Sequence, residues 1–188
     1  MLRFRGPHLL EERPAGNGSK LDRKGLQMQT HSPTSTSAGK YLSFALANED
    51  YGLQILKVRE IIGYIDVTAV PQTPHFVKGV INLRGQVIPI VDLRAKFGMP
   101  TTDVTEQTCI IVVEITHADR KSNTGIIVDH VQEVLDITED QIEEAPQFGD
   151  SIDTDFILGM ARIDDGVKIL LDIDTVLVGQ DLGLDMVA

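Results

Sequence analysis

Two segments of the chain repeat one another in register. Tyr51-Gly-Leu-Gln-Ile-Leu-Lys-Val-Arg-Glu-Ile-Ile62 matches Thr124-Gly-Ile-Ile-Val-Asp-His-Val-Gln-Glu-Val-Leu135 at a constant offset of 73, which pairs Gly52 with Gly125, Val58 with Val131 and Glu60 with Glu133. Farther on, Phe76 and Gly79 pair with Phe156 and Gly159 at an offset of 80, held without a gap through Val87 and Val167 to Asp92 and Asp172. The second half therefore repeats the first with seven extra residues in one loop. Apolar strands resemble one another by composition alone, but matched Gly, Glu and Asp at fixed offsets are informative punctuation. Each unit supplies about five short strands, too few to bury a two-faced sheet unless it curls into a small barrel. Two such barrels sharing a core is the architecture this predicts.

The local patterns fit that frame. From Tyr41, alternation of Leu42, Phe44 and Leu46 with smaller residues reads as a half-buried strand, Asn48-Glu49-Asp50 as a turn, and Tyr51 to Leu56 as the partner strand. Val58, Ile61 and Ile62 fall at helical spacing and predict one or two turns of helix over Lys57 to Ile62. Gly79 to Asp92 reads as a hairpin reversing at Arg84-Gly85, with Gly supplying a positive φ, and Pro89 marks an edge or a bulge because it cannot donate to a ladder. Thr108 to Ile115 is apolar on both faces, a strand buried on both sides. A polar turn over Asp119 to Asn123 leads to strands from Gly125 and over Val131 to Ile137, and Thr138 with Gln141 fits a capping box. A last hairpin runs from Ile157 to Ile173 and turns at Asp164-Asp165-Gly166. Asp92 and Asp172 each follow a strand and precede a short helical segment, which makes them N-caps.

Charge divides the chain unevenly. Residues 1–40 carry seven Lys or Arg and three acids, which leaves ten basic and 25 acidic residues in 41–188, near −15. A body so acidic repels a phosphate backbone, so nucleic acid is excluded as a partner class. Residues 1–40, rich in Gly, Pro, Ser and Thr without periodicity, read as a flexible tail, 41–178 as the folded region, and 179–188 as a C-terminal tail. No apolar run reaches the roughly 18 residues of a membrane span. With no cleavable leader pattern and a single cysteine, Cys109, the expectation is a cytoplasmic protein.

A search for chemistry gives little. His8, His31, His75, His117 and His130 are scattered without metal-ligand spacing, and His130 takes the place of a Lys in the first repeat. Cys109 lies among apolar residues, as a small buried hydrophobe does. No phosphate loop or nucleophile elbow is present, and Glu139 to Glu144 is acidic without the spacing of a calcium loop. The expectation is no catalytic residue, no cofactor and no metal.

The segments Tyr51-Gly-Leu-Gln-Ile-Leu-Lys-Val-Arg-Glu-Ile61 and Phe76-Val-Lys-Gly-Val-Ile-Asn-Leu-Arg-Gly-Gln-Val-Ile-Pro-Ile-Val-Asp-Leu-Arg94, with Gly125 to Asp129 and Val131 to Leu135, closely resemble the CheW family of bacterial chemotaxis. The resemblance covers residues 41–178, and its Asn-Leu-Arg-Gly segment is its most specific part. It implies an all-β fold of two SH3-like five-stranded barrels sharing a core, with short helical segments. It also implies a non-catalytic adaptor that binds the cytoplasmic tip of chemoreceptors (methyl-accepting chemotaxis proteins) and the regulatory domain of the histidine kinase CheA, recruited to receptor arrays at the inner face of the membrane. Carried onto this sequence, the partner-binding residues are Val58, Glu60, Gly79, Asn82, Leu83, Arg84 and Gly85, with a structural role for Gly79 at least as strong. Arg84, at a hairpin tip, has a guanidinium that can fork onto a carboxylate or carbonyl. Three alternatives stand beside this reading. One is a CheW-like module cut from a CheA or CheV protein. Another is an enzyme with its site between the barrels. The third is a generic SH3-like binder of Pro-rich peptides, poorly supplied here because the chain has no Trp and three Tyr.

Overall fold

Strand pairing crosses between the two halves of the repeat, and that exchange builds the whole molecule. The structure, a computed structural model, describes residues 38–146, 154–164 and 166–178. The first half forms β1 (Gly39–Leu46), β2 (Glu49–Gln54), a 3-10 turn (Ile55–Lys57), β3 (Val58–Gly63), β4 (Val77–Leu83), β5 (Gln86–Asp92) and α1 (Leu93–Lys96). The second forms β6 (Cys109–His117), β7 (Arg120–Val128), β8 (His130–Ile137), a 3-10 turn (Glu139–Gln141), β9 (Ile142–Glu143), β10 (Ile157–Ile163), β11 (Gly166–Leu171) and α2 (Ile173–Val178). One sheet runs β3-β6-β7-β5-β4 and the other β8-β1-β2-β11-β10-β9. Each sheet thus takes two strands from one half and the remainder from the other. The repeat unit is therefore not a barrel, as the sequence suggested; each of the two SH3-like barrels is assembled from both units.

The seams are the two parallel pairings. Gly52 of β2 lies opposite Leu170 of β11, and Gly125 of β7 lies opposite Ile90 of β5. A Cβ on Gly52 would come 2.6 Å from Leu170 Cδ2, and one on Gly125 2.5 Å from Ile90 Cδ1. The repeated glycines make room for the repeated aliphatics. β6 is buried on both faces for a related reason: Ile110 and Val112 fill its own barrel with Ile81, Ile88 and Ile90, while Ile111, Val113 and Ile115 face the shared core. Tyr41, Ile137, Ala161 and Leu170 fill the other barrel. The shared core includes an aromatic stack, Phe44 on Tyr51 on Phe97 on Phe156, with ring centroids 5.7, 6.0 and 5.6 Å apart.

Both predicted N-caps are present: Asp92 accepts from the Ala95 N–H (3.2 Å), and Asp172 from those of Asp174 (3.1 Å) and Thr175 (3.3 Å). Gln141 Oε1 accepts from the Thr138 N–H at 2.9 Å. Pro89 is on an interior strand, but the ladder from β5 to β7 begins only at Ile90, so its missing donor faces no partner strand. Four expectations shift. The helix expected over Lys57 to Ile62 is absent beyond its first residue: the 3-10 turn ends at Lys57, and Val58 to Gly63 alternates half-buried and exposed against β6. The β-branched run followed the sheet period of two, so Ile62 packs while Ile61 is exposed. The β1–β2 reversal lies at Ala47–Asn48, with Ala47 at φ 56°, rather than over residues 48–50. The polar turn shortens to Ala118–Asp119 (φ 46° and 63°), because Lys121, Ser122 and Asn123 pair with Thr116, Ile115 and Glu114. Finally, β1 begins at Gly39, two residues before the expected Tyr41. The expected tails otherwise lie outside the described residues, as does Asp165 of the last turn.

Side-chain ties hold the halves together at the surface. Arg94 of α1 forks onto Asp129 at the β7–β8 corner (2.7 and 2.6 Å), and Asp129 also accepts from the Ala47 N–H at 2.8 Å. Burial pushes the Asp129 carboxyl up, but the Arg94 and Ala47 hydrogen bonds and the Arg94 charge outweigh it and hold the group below the usual carboxylate range.

Three outcomes are expected. Gly79 sits at φ 140° with its missing Cβ directed 2.0 Å from the Thr68 carbonyl oxygen, so Gly79→Ala should cost more in urea denaturation than Gly52→Ala or Gly125→Ala, whose nearest neighbours are side-chain ends; the latter two should lose about 1–3 kcal/mol. Thr124, fully buried in β7, has a hydroxyl without a hydrogen-bond partner, so Thr124→Val should leave the melting temperature unchanged or raise it. Because Asp129 has a lowered folded-state pKa, its contribution is complete above about pH 4, its ordinary unfolded value, and is lost as pH falls below that. Acid titration of stability should therefore be shallower below pH 4 in Asp129→Asn, which should also be less stable at neutral pH.

Candidate functional site

The β4–β5 hairpin reverses in two residues, Arg84 (φ 52°) and Gly85 (φ 85°), with Leu83 opposite Gln86. Asn82 Oδ1 accepts from the Gly85 N–H at 2.9 Å and locks the turn. This tip swings across to β3 at the opposite edge of the same sheet, where Arg84 Nη2 donates to Glu60 Oε1 at 2.6 Å. Beside the pair runs a shallow groove of about 260 Å³, lined by Arg59, Glu60, Leu83, Arg84, Gln86, Ile88, Val112 and Asn123. Arg59 and Lys121 both pair with Glu114, holding its carboxyl below the usual range through hydrogen bonds from Lys121 and Arg59.

The structure therefore brings Glu60, Leu83 and Arg84 together, with Asn82 and Gly85 as the scaffold of the turn. Val58 is half-buried against the shared core, on a bulge that separates it from Glu60 in the β3–β6 register. Gly79 is buried against Thr68, whose backbone exchanges both hydrogen bonds with Val80 at 2.9 Å; the geometry accounts for it by the close passage of its own chain. Sequence reasoning missed Arg59, Gln86, Ile88, Val112 and Asn123. Arg59 had a usable signal, standing between Val58 and Glu60, but the helical reading of 57–62 turned it elsewhere. Asn123 was assigned to a turn that the structure shows as strand.

Energetics say what the Arg84–Glu60 pair is not for. Arg84 is 77% and Glu60 26% exposed, and pairs so open to water contribute about 0–1 kcal/mol. The repeat supplies an internal control. In the other barrel Gln132, Glu133, Asp164, Lys168 and Asp50 occupy the places of Arg59, Glu60, Arg84, Ile88 and Asn123. An acid stands where Arg84 would be, and the region is tied by Lys168 to Asp50 (2.7 Å), Gln132 to Asp50 (2.7 Å) and Lys168 to Gln132 (3.3 Å). The Lys168 hydrogen bond, aided by Gln132, holds Asp50 below the usual carboxylate range against the opposing effect of burial. The same backbone folds in both places, so the fold does not require the Arg–Glu pair. Among the described residues no group of three or more His, Cys, Asp or Glu is placed to hold a metal, and no helix is long and apolar enough to cross a membrane. Cys109 is buried at the start of β6, and burial pushes its thiol pKa up.

Comparison with known proteins agrees with this architecture. Residues 40–180 match the family model of the CheW-like domain. Chemotaxis protein CheW of Klebsiella aerogenes is 40% identical over 149 residues, covering 79% of this chain and 87% of that protein. The probable chemotaxis protein CheW of Rhizobium etli is 34% identical over 133 residues, covering 71% and 83%. The crystal structure of scaffolding protein TtCheW from Thermoanaerobacter tengcongensis superposes with a TM-score of 0.65 at 39% identity, covering 74% of this chain and 92% of that one. The paired barrels, their repeat and these likenesses together place the chain in the CheW-like family.

Proposed function

We propose that the chain is a non-catalytic adaptor that couples chemoreceptors to the histidine kinase CheA at the inner face of the membrane, and that the Arg84–Glu60 groove is a surface through which it meets a partner. The observation that carries the second part is the internal control: one barrel bears an exposed guanidinium–carboxylate pair beside an open groove, and at the equivalent place on the other barrel the charged and polar side chains are tied to one another in a network. A pair worth little to stability, held at a rigid two-residue turn, can exchange its partner at small cost. The guanidinium offers planar, two-pronged recognition to a carboxylate or carbonyl from outside, and Glu60 accepts donors in return. Val87 adds an exposed apolar contact on the same hairpin. The coupling function itself is supported by membership of the family and by relatives that carry the name chemotaxis protein CheW.

An adaptor of this kind needs no turnover. Two modest interfaces on one molecule gain effective concentration when receptor and kinase are held in an array, so neither has to be tight alone. The folded region's excess of acids is compatible with a protein partner and opposes a nucleic-acid one.

The test is titration of the isotopically labelled protein with the cognate CheA regulatory domain and, separately, with a receptor-tip fragment, followed on backbone amides. Saturable shifts at residues 59–60 and 83–86 are expected with one of the two. Arg84→Glu should weaken that partner at least about tenfold while melting within a few degrees of the parent. Unchanged affinity for both partners would remove the groove from the assignment, and no binding of either by the folded parent would remove the adaptor reading.

A further inference from the structure

The molecule has two equivalent junctions, each where the helix closing one half meets the corner following the second strand of the other. At the first, Arg94 of α1 holds Asp129, and Asp129 accepts from the Ala47 N–H at 2.8 Å. At the second, Asp174 of α2 holds Lys57, and Asp174 accepts from the Thr116 N–H at 2.8 Å. Arg94 and Asp174 correspond at the offset of 80, and Ala47 and Thr116 hold equivalent places, each following a residue (Leu46, Ile115) paired at the same point of the next strand. The polarity is reversed: the base stands on the helix at one junction and the acid at the other. In both, the acid caps the same backbone amide.

The reversal changes the corner. Asp129 corresponds to Leu56, which at the second junction is freed from the tie and stands 87% exposed, while its neighbour Lys57 makes the ion pair. The second junction is also the looser. Its partners are each 27% exposed against 16% and 22% at the first, and a single ammonium on a flexible stem replaces a bidentate fork. A hollow of about 160 Å³ lies beside it, lined in part by Gln54, Leu158 and Asp172. Directly after Lys57 the chain enters β3, which carries Glu60.

We infer that Lys57 and Asp174 are positioning residues for partner recognition: their ion pair seats the Ile55–Lys57 turn, and so fixes both the exposed Leu56 and the entry of the strand that presents Glu60. This rests on the adaptor reading. The pair is a single, partly exposed ammonium–carboxylate contact, weaker than the bidentate fork at the first junction, and the Thr116 hydrogen bond ties α2 to β6 without it. What the pair adds is the setting of one corner.

Asp174→Asn tests this, because it keeps an acceptor for Thr116 and removes only the charge. The partner that Arg84→Glu weakens should bind Asp174→Asn roughly fivefold to tenfold less tightly, and amides 55–58 should exchange with deuterium faster, with the melting temperature within about 2 °C of the parent. Lys57→Met should do the same, and the double variant should be no worse than either single one, since both remove one interaction. Additive losses in the double variant, or binding by Asp174→Asn within twofold of the parent, overturn the inference alone. Absence of binding by the parent chain overturns the adaptor reading and this inference with it.

Discussion

Everything in this molecule depends on two parallel strand pairings made between its halves. β2 lies along β11 and β5 along β7, and each pairing is possible because a glycine faces a bulky aliphatic across it. Without those seams each half would offer an incomplete sheet with open edges and one apolar face uncovered. With them, strands such as β6 acquire two apolar environments, one inside a barrel and one between barrels. That is why the chain can be rich in Ile, Val and Leu, poor in aromatics and still well packed.

The repeat also explains where functional divergence could occur. Two copies of one backbone carry different side chains at equivalent surface places: Arg84 against Asp164, Ile88 against Lys168, Leu56 against Asp129. Apolar positions facing the cores stayed apolar, since volume and hydrophobicity are what packing demands. Surface positions were released from that demand in both copies, and each copy spent the freedom differently. One kept an open groove beside a guanidinium; the other drew its charges into a network.

Much of this was legible in the sequence, and the failures have identifiable causes. Matched glycines and aspartates disclosed the duplication, and the Asn-Leu-Arg-Gly turn disclosed both the family and the residue at the tip. The exchange of strands between halves was not readable, because self-similarity says which residues correspond and nothing about which copy a strand pairs with. The misplaced helix at 57–62 arose because Val58, Ile61 and Ile62 satisfy a helical spacing as well as a sheet one. Tertiary pairing with β6 decided between them. Asn123 and Arg59 were missed for the same reason, since only the register on β6 and β7 brings them to the groove.

The interlacing of halves also has a consequence for how the chain comes to be folded. During synthesis the first five strands emerge before either seam can form: β5 must wait for β7, and β2 for β11. Neither barrel can close on the ribosome from the first half alone, and the long-range closure this demands is the kind that slows folding. Meanwhile the waiting edges of one chain match those of any neighbour, so two nascent copies could trade halves and emerge as an intertwined pair. The duplication therefore did not set two finished units side by side: through its crossed seams it made each barrel wait for strands of both copies.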